Sequence, residues 1–211
     1  YQHYYVTFLY SLLTIIWMTA KDFIKLGKYY KTGLVSSKKE AFKTLLNIIL
    51  HRAIFYFTFL VLPIYVLDFP PLLVVAMFVS MLMVSGVVLS IIFQLAHVVE
   101  DCVTLDQDEE KINENWSVHQ LMTTSNFAVD NKIITYLFGG LNYQVEHHLF
   151  PNICHVHYPA ISKIVKATAQ EYGIPYHCQK TFGSALKSHY AQLKELGRSD
   201  SLPVTSTLVY T

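Results

Sequence analysis

The sequence predicts an all-α integral membrane protein, a helical hairpin in the bilayer joined to a helical cap in the cytoplasm. Three observations predict it. Hydrophobic residues fill 53% of the 211 positions and charged residues only 15%, with a mean hydropathy of +0.33, too apolar for an ordinary soluble domain. Two charge-poor runs, each long enough for a hydrocarbon core that takes about 20 apolar helical residues to cross, flank a proline-rich turn. A lysine-rich segment stands before the pair: the formal charge of +1 averages residues 21–43, with seven lysines against Asp22 and Glu40, and residues 100–119, with seven acids against Lys111. Neither run suggests a nucleic-acid partner.

In chain order, residues 5–20 (YVTFLYSLLTIIWMTA) come first, and sixteen residues rich in Tyr, Thr and Ser can cross a thin membrane or lie along its surface. Residues 45–67 follow, apolar apart from Asn47, His51 and Arg52, where a long arginine can snorkel to the headgroups. Residues 72–99 contain no Asp, Glu, Lys or Arg, and Asp68-Phe69-Pro70-Pro71 is a turn of helix breakers. The two runs therefore form a membrane hairpin over residues 44–99 whose ends share one side. The basic loop within residues 1–43 marks that side as cytoplasmic by the positive-inside rule, and everything after Val99 is placed there too.

Residues 100–198 form the cap. They are polar and amphipathic, broken chiefly at Gly139-Gly140, and residues 158–172 carry Ile161, Ile164, Val165 and Ala169 at helical spacing before a stop at Gly173-Ile174-Pro175. Residues 199–211 lack periodicity and are expected to be a flexible tail. Three cysteines without C-x-x-C spacing indicate neither a disulfide framework nor a zinc ribbon, so reduced thiols are expected. Tyr1 follows no initiator Met and no charged leader, which suggests the C-terminal part of a longer chain.

Eight of the ten histidines lie from His97 onward. Gln144, His147 and His148 are spaced i, i+3 and i+4, so a helix projects them from one face while Glu146 points elsewhere. Neutral imidazoles are strong ligands for iron or zinc, and a pair on adjacent turns can serve one ion or two. A surface histidine pair is the bland alternative. His97 ends the second apolar run, at the membrane surface. His119, His155, His157, His177 and His189 read as solvated histidines or as partners behind the ligands, with His155-Val156-His157 expected in an extended chain that turns its rings apart. His51 reads as structural. Glu-x-x-His, His-Glu-x-x-His, Gly-x-Ser-x-Gly, phosphate-loop and dinucleotide signatures are absent from the sequence, which leaves histidine-based metal chemistry beside a membrane.

The segment Leu141-Asn142-Tyr143-Gln144-Val145-Glu146-His147-His148-Leu149-Phe150-Pro151 resembles the third histidine box of the membrane fatty acid desaturases, in the version that begins with Gln and is typical of front-end and bacterial acyl-CoA enzymes. Gln94-Leu95-Ala96-His97 resembles the family's isolated ligand histidine, and Trp116-Ser117-Val118-His119-Gln120 with Thr123-Thr124-Ser125-Asn126-Phe127 resembles the approach to the third box. The family's first two boxes, H-x3-4-H and H-x2-3-HH, are absent from these 211 residues and are expected upstream of Tyr1.

The resemblance implies a membrane di-iron desaturase that uses oxygen and two electrons to remove two hydrogens from an acyl chain carried on CoA or a lipid, with a ferredoxin or cytochrome b type electron donor. It implies His97, His147 and His148 as iron ligands for a centre of two iron ions, Gln144 behind them, and a site on the cytoplasmic face of a multi-pass protein. With the second box on that face, residues 5–20 are expected to lie along the surface. A hydroxylase or ketolase on the same scaffold would carry the same boxes, and a non-catalytic membrane fragment is the alternative from another class. Such a fragment alone is expected to be inactive.

Overall fold

In the computed structural model, which describes residues 1–102 and 115–198, three long helices come first. Helix α1 (Gln2–Lys31), α2 (Lys38–Val66) and α3 (Pro71–His97) are each long and apolar enough to cross a membrane. The expected tail at residues 199–211 and most of the acidic run lie outside the described residues. Ser37 caps α2 by accepting the Glu40 amide, and α3 opens on Pro71, whose missing N–H is one that a first helical turn leaves unpaired in any case.

Two of these helices widen locally. In α2 a π turn at Phe57–Val61 precedes Pro63; proline offers no N–H and its ring crowds the carbonyl four residues back, and the wider turn, with Leu62 N–H on Phe57 O, absorbs the misfit. In α1 the π turn is Trp17–Lys21, and a polar cluster from α2 sits against it. Arg52 donates to Trp17 O at 2.6 Å and to the Asp22 carboxylate, and Tyr56 donates its hydroxyl to Met18 O at 3.3 Å. Arg52 therefore finds its partners inside the protein, not at lipid headgroups as expected, and its side chain is only 15% exposed.

The chain divides into two compact units. Within Thr7–Ser90, α1 approaches α3 closely at Gly86, where an added Cβ would lie 2.6 Å from Ser11 O and 2.7 Å from Tyr10 O. Ser90 donates to Tyr10 O at 3.4 Å, and Phe78 of α3 meets the rings of Phe55 and Tyr56 at 5.9 and 5.8 Å. Small residues at such a crossing let backbones approach where no hydrophobic force drives helices together. Helix α1 thus meets α3 at Tyr10 and Ser11 and α2 at Trp17 and Met18.

The second unit comprises Tyr1–Val6 and the chain from Ile91 onward. After α3 it contains α4 (Trp116–Thr123), β1 (Ser125–Phe127), α5 (Lys132–Leu137), α6 (Gln144–Leu149), α7 (Tyr158–Glu171), β2 (His177–Gln179) and α8 (Phe182–Leu196). The strands pair in parallel, Ser125 with His177 through Phe127 with Gln179. This small sheet corrects the all-α expectation, and three-residue strands with no apolar alternation give periodicity nothing to detect. One core packs Leu95, Phe127, Ala128 and Ala185; a second packs Leu121, Val145, Val165 and Ala169. Gly139 and Gly140 end α5 at φ of +57° and +77°, the break expected there, and a Cβ on Gly140 would lie 2.7 Å from His155 Cβ. His155–His157 forms one 3₁₀ turn leading into α7, not the extended strand expected, because a helix start commonly tightens this way.

Candidate metal centre

His97 occupies the last residue of α3, and the chain beyond it is clamped by α8. His189 Nδ1 donates to Val98 O at 2.7 Å, and Ser188 Oγ accepts the Glu100 amide at 3.0 Å. These bonds satisfy backbone groups that the end of α3 would otherwise leave unpaired. His189 is fully buried, which corrects its reading as a solvated histidine: through Val98 it holds the chain beyond His97.

His147 and His148 ride on α6, six residues long and too short to stand without tertiary support. Asn126 in β1 supplies some of it, accepting the Val145 amide at 2.9 Å and donating to the Glu146 carboxylate at 2.7 Å. Tyr176 donates to the other Glu146 oxygen at 2.9 Å. Glu146 is thus fully buried on the face away from the histidines, as the helical spacing requires. Burial pushes its carboxyl pKa up, while the hydrogen bonds from Asn126 and Tyr176 pull it down.

The structure gathers the three predicted histidines. The His97 and His148 rings lie 5.0 Å apart and the His147 and His148 rings 5.9 Å, both edge to face. Each ring has a partner at Nδ1: Thr123 O for His97 at 3.4 Å, Gln120 Oε1 for His148 at 2.8 Å, and the Tyr158 hydroxyl for His147 at 3.4 Å. Two of these partners are acceptors, so His97 and His148 carry their proton on Nδ1 and present Nε2 as the lone-pair nitrogen. Burial first, and then the neighbouring His97 and His147, push the His148 pKa down to about 4, which keeps this imidazole neutral at ordinary pH.

Gln144 is buried on the same face, and its Nε2 has no hydrogen-bond partner among the described residues. An unpaired buried amide on the face of the histidine pair suits a bound water or ligand group. Imidazole nitrogens oriented by a partner at Nδ1 suit a redox-active iron. The set is partial, because among the described residues no group of three or more His, Cys, Asp or Glu is arranged to hold an ion.

The remaining histidines stay apart. His155 and His157 are exposed on the 3₁₀ turn, and His51 Nδ1 faces its own helix at Asn47 O, 2.8 Å away. His119 is half-buried on α4; His177 lies in β2, where burial pushes its pKa down. All three cysteines are free, and burial pushes the Cys102 thiol up to about 12.

The sequence matches the fatty acid desaturase family over residues 1–180. The chain belongs to that family. It is 37% identical over 198 residues to the sn-1 linoleoyl-lipid 6-desaturase of Arthrospira platensis, covering 93% of this chain and 53% of the relative. It is 36% identical over 203 residues to the acyl-lipid (8-3)-desaturase of Physcomitrium patens, 95% of this chain and 42% of that protein. A third relative, Delta(5) fatty acid desaturase A of Dictyostelium discoideum, is 33% identical over 202 residues, 93% of this chain and 43% of its own length. No solved structure matches. The chain spans about half the length of these relatives, and with three candidate spanning helices it is a membrane protein.

Within this desaturase-family chain the residues that orient the histidines escaped sequence reasoning. Gln120 and Thr123 stand i, i+3 on α4, a spacing that puts both on one face, and both turn toward histidines. Tyr158, Asn126 and Tyr176 gave no such signal, since their partners lie at separations of 11 to 50 residues.

Proposed function

We propose that this protein is a membrane desaturase that introduces a double bond into an acyl chain, using oxygen and two electrons from a ferredoxin or cytochrome b type donor. The carrying observation is the convergence of His97, His147 and His148, each engaged at Nδ1. These three residues would contribute nitrogen ligands to a centre of two irons whose remaining ligands come from elsewhere in the protein. Iron, when bound, would supply the oxidising power that side-chain acid–base chemistry lacks for an unactivated C–H bond.

The chain's own residues do the rest. Thr123, Gln120 and Tyr158 fix ring direction, and Gln144 offers a buried amide to a water beside the histidines. An apolar cavity of about 310 Å³, lined by Leu121, Leu149, Phe150, Val165 and Ala169, adjoins the α4 turn that carries Gln120, a suitable place for a stretch of acyl chain. The relatives' names favour a lipid-linked acyl chain over acyl-CoA. The hairpin arms α2 and α3 would cross the bilayer with both ends cytoplasmic, and α1 would lie along the cytoplasmic surface.

Lipid analysis of a host making the full-length protein tests this reading. A new double bond in its fatty acids is the expected product; a hydroxylated or ketonic acyl chain would instead indicate oxygen insertion, and no change would remove the enzymatic reading.

A further inference from the structure

A buried triangle of polar groups lies behind the histidine helix. Asn126 and Glu146 are fully buried and Tyr176 is partly so. Asn126 Nδ2 donates to Glu146 Oε2 at 2.7 Å and to the Tyr176 hydroxyl at 2.7 Å, while Tyr176 donates to Glu146 Oε1 at 2.9 Å. Ser162 of α7 adds a contact to the Tyr176 hydroxyl at 3.0 Å.

With Glu146 ionised, the donors and acceptors of this triangle are matched. The Val145 amide can only donate, so the oxygen of Asn126 must face it and Nδ2 must face Glu146 and Tyr176. Both carboxylate oxygens accept, and the single Tyr176 proton goes to Oε1. The triangle joins β1, α6, α7 and the approach to β2 at the residue immediately before His147. Successive helical residues differ by about 100° in direction, so holding Glu146 fixes where His147 and His148 point.

We propose that Asn126, acting with Glu146 and Tyr176, is a positioning residue for the histidine pair: it sets the rotation of α6 and thereby aims both imidazoles. This rests on the reading of His147 and His148 as metal ligands. Core packing alone would not do the same, because Val145 faces an apolar cluster that tolerates small rotations, whereas a hydrogen-bonded triangle with fixed donors and acceptors does not.

The test is Co²⁺ affinity and the visible Co²⁺ absorption of the detergent-solubilised full-length protein, with lipid product measured in parallel. Asn126→Asp sets two carboxylates face to face and is expected to weaken Co²⁺ binding about tenfold or more; Glu146→Gln, whose amide can accept from Asn126 and donate to the Tyr176 hydroxyl, is expected to lose less. Asn126→Asp with Glu146→Gln restores one amide–carboxylate hydrogen bond and is expected to bind several-fold better than the worse single variant. Tyr176→Phe keeps the Asn126–Glu146 bond and is expected to shift the absorption band with a smaller loss of affinity, and it decides the matter should the other variants fail to fold. Wild-type binding in Asn126→Asp, a double variant no better than Asn126→Asp alone, or an unchanged spectrum in Tyr176→Phe would overturn the proposal. Wild-type protein that binds Co²⁺ without making desaturated lipid would overturn the desaturase reading and leave the positioning role to be judged on the affinity ratios. Wild-type protein that binds no Co²⁺ would overturn both.

Discussion

His97, His147 and His148 each expose one ring nitrogen and commit the other, and that division of labour makes specific demands on substitution. His147→Ala, His148→Ala and His97→Ala should each reduce desaturated product to background, since losing a partner behind a ligand already costs about 10 to 100-fold and losing the ligand itself should cost more. His155→Ala and His157→Ala, on the exposed 3₁₀ turn, should keep most of it. Fatty acid profiles at matched protein level check both; normal product from His147→Ala would sink the ligand assignment. Gln120→Ala frees the His148 ring and should fall between these classes, at about a tenfold loss. His189 predicts an acid sensitivity of the cap. Burial pushes its pKa below the ordinary 6.5, against the opposing pull of the Val98 hydrogen bond. The unfolded chain takes a proton near pH 6.5 and the folded chain only at lower pH, so this contribution is complete above about 6.5 and declines as pH falls toward the lowered folded value. Thermal midpoints in detergent between about pH 7.5 and 5 should fall more steeply for wild type than for His189→Gln, and parallel curves would discount the histidine.

Among the elements, two glycines carry geometry that no other residue can. Gly86 lets α1 and α3 meet with backbone atoms inside ordinary Cβ contact, so Gly86→Leu should cost roughly 1–3 kcal/mol or more through forced separation of the helices. A lowered thermal midpoint in detergent is the expected reading, and an unchanged midpoint would mean the two helices do not pack there. Gly140 combines φ of +77° with a close approach to His155, and Gly140→Ala should destabilise by about 1–3 kcal/mol, loosening the turn between α5 and α6. The helices themselves were largely legible: the apolar runs at 45–67 and 72–99 correspond to α2 and α3, the proline pair separates them, and α7 ends where Gly173-Ile174-Pro175 requires. The π turn in α1 was not legible, because Arg52 and Tyr56, which bond its carbonyls, lie more than thirty residues away.

For the whole molecule the open question is orientation in the bilayer. If the hairpin crosses with both ends on the cytoplasmic side, the turn at Asp68-Phe69-Pro70 faces the opposite compartment, and Phe69→Cys should react with a membrane-impermeant thiol reagent on intact cells. Cys102 and Cys154 should share the protected side. Reaction of Phe69→Cys only after the cells are opened would reverse the orientation. With only part of a ligand set present, the isolated 211-residue chain should not retain two tightly bound irons, and metal analysis of the purified chain checks this; two tightly held irons would place ligands among histidines regarded here as bystanders.

By itself the sequence determined the membrane class, the two long apolar helices, the family resemblance and the histidine face, because each depends on features within about thirty consecutive residues: apolar length, helix breakers, and i, i+3, i+4 spacing. Only the tertiary structure decided what those residues do to one another. It brought His97 to His148 across fifty-one positions, gave each ring a partner, paired two strands too short to show a period, and buried His189 as a clamp on Val98. The physical reason is range. Helix formation is local and leaves its mark in composition and period, whereas hydrogen-bond partners for buried polar groups are recruited wherever the fold brings them, with no trace in neighbouring residues.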